Sequence, residues 1–446
     1  MISAAIQRIR STIGTPIFPG WWVVGACSII GAYGGGVYFY GFTLFFNPMK
    51  EELGLTSAMT NLVFSLTRLE GAFEGAIVGF LIDRFGARLI MMVGVFMAGV
   101  GFLLWATLVD SYALFLIVYV GIIATGINGG FFHPALAVAN NWFIRRRATA
   151  MATISVAVGI GGSILVPLMG IIIATQGWRT AAMLAGIGML TLIWPITLAV
   201  RHSPESMGLL PDGDQAADYE ESLSPKDTET SPIEAPARPE ASLSLASEVN
   251  FTIRQAFGTI AMWQLIAAIT LRFTAHTAIM VNLAPILEDR GMTPIAAAGA
   301  IGILVFLSIP GRIAVGWLGD RFAKRKVIAS LLIVQAFSML ILIQANSIWQ
   351  LYIFIAVWAA AYGAGILNWA IVGDYFGRAN FATLRGLMGL VFSGGAVLGP
   401  LYAGWVYDTT GAYTTAILVF MVITSTSIPL YWFCVPPRNP NIIKSM

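Results

Sequence analysis

Seven ionisable side chains lie inside stretches of sequence that are otherwise apolar. Arg68, Glu70 and Glu74 share one stretch, His133 lies in a second, Arg272 and His276 share a third, and Arg312 lies in a fourth. A charge placed at the centre of a bilayer costs at least about 2.5 kcal/mol, so each of these residues calls for a role. A guanidinium keeps its proton in such surroundings and can hold a carboxylate through two parallel hydrogen bonds. That chemistry makes Arg312 a candidate for a permanent anion site. The alternative is a structural arginine paired with a carbonyl or a neighbouring glutamate.

Glu70 and Glu74 are four residues apart on one helical face, as are Arg272 and His276. With both glutamates ionised, Arg68, Arg272 and Arg312 leave one cation unmatched, which a bound carboxylate would neutralise. Protonation of Glu70, Glu74 or His276 would couple that binding to protons. An Arg–Glu lock between the second and seventh apolar stretches is an equally direct reading, and a lock that a proton releases would combine the two. His133, beside Pro134, fits a hydrogen-bonded packing residue more readily than a proton carrier.

The elements that must position these groups are helices. The 446 residues are 57% hydrophobic and 11% charged, with a mean hydropathy of +0.80. A soluble domain carries about 25% charged residues, so this chain needs a lipid-facing exterior. Runs long enough to cross a membrane fall at 21–46, 60–82, 89–108, 112–139, 148–174 and 180–200, then at 257–286, 295–318, 327–345, 350–373, 386–407 and 412–435. The fold class expected is an all-α membrane protein of twelve transmembrane helices in two pseudo-symmetric six-helix bundles. With the N-terminus in the cytoplasm, 19 of the 25 Lys and Arg residues are cytoplasmic, three are external and three lie in spans. The excess of positive charge inside fixes that orientation, with both termini cytoplasmic. The expected location is a plasma membrane, a bacterial inner membrane in the first instance.

The expected divisions are an N-terminal tail (1–20), a first bundle (21–201), a linker (202–256), a second bundle (257–435) and a C-terminal tail (436–446). The linker is rich in Pro, Ser, Asp and Glu and is expected to be a disordered tether, with His202 carrying no role. Cys27 and Cys434 are the only cysteines, so neither a disulfide framework nor a metal cluster is expected. No nucleophile–base set or nucleotide loop appears, which argues against an enzyme, a cofactor or a nucleic-acid partner. The partners expected are a small carboxylate, protons and membrane lipid, with the monomer as the working unit.

The two halves repeat each other. Gly79-Phe-Leu-Ile-Asp83-Arg84 returns as Gly316-Trp-Leu-Gly-Asp320-Arg321, Trp142-Phe143 as Tyr375-Phe376, and Gly161-Gly-Ser-Ile-Leu-Val-Pro167 as Gly394-Gly-Ala-Val-Leu-Gly-Pro400. The offsets are 237, 233 and 233 residues. Two copies of one bundle in this arrangement are a mark of rocking carriers.

These landmarks resemble the major facilitator superfamily, whose signature loops follow spans 2 and 8. In that reading a glycine (Gly79, Gly316) permits close helix packing, and Asp and Arg (Asp83, Arg84, Asp320, Arg321) form a cytoplasmic latch that breaks as the halves rock. Within the superfamily, Gly20-Trp-Trp-Val-Val24 and the stretch from His133 to Arg146 resemble the monocarboxylate and oxalate/formate transporter group. That group places an arginine four residues before the span 8 glycine as its carboxylate ligand, the position of Arg312. The resemblance also implies cavity-lining roles for Tyr362 and Asn368 in span 10, Asn128 in span 4 and Tyr33 in span 1. Two departures stand out. Ser308 occupies the place of an aspartate found in proton-coupled animal members, and 386–407 lacks the lysine of oxalate exchangers. The function implied is secondary transport of a small, monocarboxylate-like organic anion by alternating access, with proton coupling open. The alternatives are an oxalate/formate-type antiporter, an exporter of amphipathic compounds and, least favoured, a receptor that binds without carrying.

Overall fold

The computed structural model describes residues 18–55, 57–213 and 250–438. Twelve long helices carry the architecture. In the first half they are α1 (Pro19–Tyr40), α2 (Ser57–Phe85), α3 (Ala87–Leu108), α4 (Tyr112–Trp142), α5 (Arg147–Gln176) and α6 (Trp178–Thr197). In the second half they are α7 (Ile260–Val281), α8 (Pro294–Arg321), α9 (Lys324–Gln344), α10 (Ile348–Phe376), α11 (Phe381–Thr410) and α12 (Thr414–Trp432). Eleven of them are long and apolar enough to cross a membrane on composition alone. The twelfth, α2, spans 29 residues but carries Arg68, Glu70 and Glu74 along its middle. No β-strand occurs among the described residues.

Local sequence sets the helix starts. Thr259 caps α7 by accepting the Met262 N–H, Thr293 caps α8 ahead of Pro294, and Ser347 with Gln350 forms a capping box at α10. Pro167, Pro310 and Pro400 lie inside α5, α8 and α11. Such breaks are tolerated in membranes where neighbouring groups satisfy the freed carbonyls. Two irregularities fall at the centre. The backbone of α4 turns π-helical over Asn128–Phe132, just before His133, and α10 is interrupted at Tyr362 and Gly363.

The halves meet along two seams, α2 against α11 and α5 against α8. Both require glycine. A Cβ on Gly79 would collide with the Ala382 carbonyl, and one on Gly316 would press on the Ala152 methyl at 2.6 Å.

Two stretches depart from the sequence reading. The expected linker is folded at both ends: 202–213 forms short 3₁₀ turns, and Ile253–Phe257 is a capped helical turn. The rest of it, 214–249, lies outside the described residues, as do 1–17 and 439–446 of the tails. The eleventh span begins at Phe381, not 386, which brings Arg385 into the helix.

Candidate functional site

Arg312 projects from α8 at the seam with α5 and is 4% exposed. Its Nη1 donates to the Ser155 carbonyl oxygen at 2.8 Å, its Nε is buried without a partner, and its guanidinium carbon stands 4.8 Å from the Tyr362 ring centroid. No carboxylate of the described residues pairs with it. Tyr362 reaches this position because α10 breaks there. Its ring also meets His276 edge-on at 5.1 Å, and His276 stacks on Trp358 at 5.6 Å and 9°. Nδ1 of His276 stands 3.3 Å from the side-chain amide of Gln335.

Arg272, one turn before His276 on α7, is 3% exposed. It forms no hydrogen bond or ion pair with a described residue; its Nε is buried, its guanidinium lies over Phe273 at 5.7 Å, and Tyr431 and Tyr362 are within its electrostatic reach. The Arg–Glu lock proposed between α2 and α7 is thus not made by Arg272. Nothing is described of the Arg68 side chain.

The acids gather elsewhere. Glu70 Oε1 accepts from the Thr125 hydroxyl at 3.0 Å, and Oε2 from the Asn128 amide at 3.5 Å. Glu74 is 8% exposed, neither of its oxygens accepts from a described donor, and its carboxyl interacts with that of Glu70 one turn before it. A groove of about 490 Å³ between α2 and α4 reaches Glu70, its one ionisable lining residue among Leu66, Phe73, Leu116, Ile117, Val120 and Gly121. Asn128 therefore serves the acid pair and not Arg312. Tyr33 and Asn368 are likewise engaged inside single bundles. Tyr33 donates to the Ala185 carbonyl in α6 at 2.9 Å, and Asn368, fully buried, accepts from Tyr431 in α12 at 2.8 Å. Of the five proposed ligands, only Tyr362 shares the Arg312 site.

A residue read as cytoplasmic belongs to the interior. Arg385 donates to Nδ1 of His133 at 2.7 Å and lies over Trp369 at 4.8 Å. The repeat carried the signal, since an offset of 233 maps the start of span 5 at 148 onto 381.

The cytoplasmic ends are bolted together. The N–H groups of Ala382 and Thr383 opening α11 donate to Asp83 at 3.3 and 2.8 Å, and the Thr383 hydroxyl adds a bond at 2.6 Å. Across the other seam, Ala148 and Thr149 opening α5 donate to Asp320 at 2.8 and 2.9 Å. A carboxylate at a helix N-terminus meets orphan N–H groups and the positive end of the dipole. The latch is therefore Asp to helix, whereas Arg84 and Arg321 lie over Phe85 and Trp317. Arg147 to Asp374 at 2.7 Å, Lys324 to Asp374 at 2.6 Å and Arg378 to Glu205 at 2.8 Å extend it. His202 is part of this cap: its Nδ1 accepts the Ala87 N–H at 3.1 Å. At the external ends the named polar contacts stay within one half, Glu52 with Arg179 and Arg290 with Ile343 and Thr414. The arrangement is closed to the cytoplasm.

The model of the Major Facilitator Superfamily matches residues 22–328 and 265–445. The chain belongs to that superfamily. This transporter is 25% identical over 427 residues to monocarboxylate transporter 12 of Mus musculus, covering 90% of this chain and 82% of that one. It is 24% identical over 373 residues to the glycerol-3-phosphate transporter of Bacillus subtilis (strain 168), covering 81% and 80%. A segment of 166 residues is 31% identical to the oxalate:formate antiporter of Oxalobacter formigenes, 36% of this chain and 38% of that one. The crystal structure of the human organic anion transporter MFSD10 matches with a TM-score of 0.65 at 16% identity, over 93% of this chain and all (100%) of that one, which speaks for the fold alone. The transporter is a multi-pass secondary carrier with twelve helices, not an enzyme.

Proposed function

We propose that this transporter moves a small organic anion by alternating access, with Arg312 as the carboxylate ligand and Tyr362 as the ring beside it. The observation that carries this reading is a guanidinium 4% exposed, at the seam between bundles, with no described acid to neutralise it. A buried cation without a counter-ion is costly, and a travelling carboxylate removes that cost each time it binds. Relatives named for monocarboxylates and for oxalate and formate support an acid as cargo, and a monocarboxylate-like substrate is the first reading. Exchange of the oxalate/formate type is the second, favoured by the 31% identical segment. An amphipathic exporter fits a permanent buried cation less well.

Proton coupling is assigned to Glu70 and Glu74. The two carboxyls lie one turn apart on α2, and the buried Glu74 carboxyl, which accepts from no described donor, is the kind of site a proton would settle on. A monomer in the plasma membrane is the working unit in this proposal. Uptake of labelled lactate, pyruvate, formate, oxalate and malonate into proteoliposomes, with and without a pH gradient, tests it. Full-rate transport of every acid by a folded Arg312→Lys protein would remove the ligand assignment. Uptake indifferent both to pH and to Glu74→Gln would remove the coupling assignment alone.

A further inference from the structure

We infer that Arg272 is a second substrate-binding guanidinium and that the transported anion carries two negative charges. The inference rests on the reading of Arg312 as anion ligand, extends it to the charge of the cargo and sets a dianion in place of the monocarboxylate-like first reading. Arg272 and Arg312 both flank the interruption in α10. A Cβ on Gly365 would sit 3.3 Å from both Nη atoms of Arg272, and one on Gly363 would sit 3.1 Å from the Cα of Arg312. His276 and Tyr362 lie within electrostatic reach of both guanidinium groups, so all four side chains form one cluster.

The cluster holds two permanent positive charges, 3% and 4% exposed, and no described carboxylate. Each Nε is buried without a hydrogen-bond partner, and Arg272 makes no hydrogen bond or ion pair with a described residue, Tyr431, Tyr362 and His276 being the polar side chains within its electrostatic reach. Glu70 is committed to Thr125 and Asn128 of α4, and Glu74 lies against Gly129 of the same helix, away from this cluster. The third buried arginine, Arg147, is paired with Asp374, and the half-buried Arg385 already has an acceptor in His133 and a ring in Trp369. A monoanion bound at Arg312 would leave Arg272 uncompensated in a medium where an isolated charge is poorly tolerated. A dianion neutralises both. Two carboxylates joined by a short chain, or one phosphate monoester, supply the same chemistry: compact, doubly charged and rich in acceptor oxygens for fork-shaped donors.

The test uses the full chain in proteoliposomes with matched pairs: malonate against acetate, succinate against butyrate, and glycerol phosphate against lactate. The expected result is at least a tenfold lower KM for the dianion of a pair, with dicarboxylate and phosphate pairs showing which source is preferred. Arg272→Gln is expected to raise the dianion KM and bring the ratio toward one, while Arg272→Lys keeps part of the preference. Should Arg272→Gln fail to fold, thermal stabilisation of the detergent-solubilised wild type by the same pairs gives the answer, with dianions expected to raise Tm more than their partners. Equal KM and equal stabilisation for both members of each pair would overturn the inference and leave Arg312 as a monoanion ligand. If no anion binds or moves, or if Arg312→Lys is indifferent to all of them, the anion reading itself falls and this inference falls with it.

Discussion

Arg385 of α11 donates a 2.7 Å hydrogen bond to Nδ1 of His133 in α4, joining the two bundles through a pair of half-buried side chains. An arginine only donates, so the contact exists with His133 neutral and its proton on Nε2. The same histidine stands against Gly75, where a Cβ would meet its Cε1 at 3.1 Å, and Gly75 in turn faces Gly386. The α2, α4 and α11 helices therefore converge on one hydrogen bond.

His133→Ala should expose that dependence. It removes the one hydrogen-bond acceptor that the described residues give a half-buried guanidinium, and leaving such a charge unsatisfied costs about 1–3 kcal/mol. A lower Tm of the purified protein, with a matching loss in Arg385→Leu and little further loss in the double variant, is the expected pattern. Additive losses would mean the two residues act separately.

The two aspartates should act as independent bolts. Asp83→Asn and Asp320→Asn each weaken a charge-assisted cap worth about 0.5–2 kcal/mol. Each is expected to raise the cytoplasm-open population by several-fold, and the double variant to add the two effects because the seams are separate. Labelling of a cysteine introduced on α4 from the cytoplasmic side measures that population; unchanged labelling would assign the closure to other contacts.

The α2–α11 seam should admit nothing larger than glycine. A side chain at Gly79 meets the Ala382 carbonyl in the closed arrangement. Gly79→Val is expected to cut transport by more than tenfold while leaving the protein folded, with its cytoplasmic face held open in the same labelling assay. Wild-type transport would show that the seam opens without cost.

Acidification should loosen the cytoplasmic cap at His202. Burial holds this histidine below its ordinary value of 6.5, with Arg378 adding to the effect against Glu205. A depressed histidine contributes stability that is full above about 6.5 and falls as the pH drops toward its folded value. Thermal stability is therefore expected to decline below pH ~6.5, and His202→Asn to flatten that decline. An unchanged slope in the variant would assign the acid sensitivity to other groups.

Arg312→Lys should separate charge from shape. Lysine keeps the positive charge but loses the planar fork, so kcat/KM for the preferred acid is expected to fall about a hundredfold, the loss of roughly 2–3 kcal/mol. A fall below threefold would indicate that only charge matters at this position.

What the residues determined alone is depth and repetition. A run of apolar residues fixes a span, the surplus of Lys and Arg on alternate loops fixes its direction, and the recurrence of Gly79 to Arg84 as Gly316 to Arg321 fixes two similar halves. The spacing from Arg312 to Asp320 places the guanidinium inside the membrane without any coordinates. What spacing along one helix does not contain is the neighbour across a seam. Glu74 and Arg312 lie at similar depths before Asp83 and Asp320, yet one faces the α4 side and the other the α5 side. Tyr33, Asn128 and Asn368 sit in the right helices but turn to Ala185, Glu70 and Tyr431, because azimuth is set by packing. Arg385 read as a loop residue because hydropathy stops at a charge, whereas His133 and Trp369 from two other helices supply the surroundings that hold it within the bundle. Sequence thus settled how deep each charge sits; only the joining of two bundles decided which charges meet.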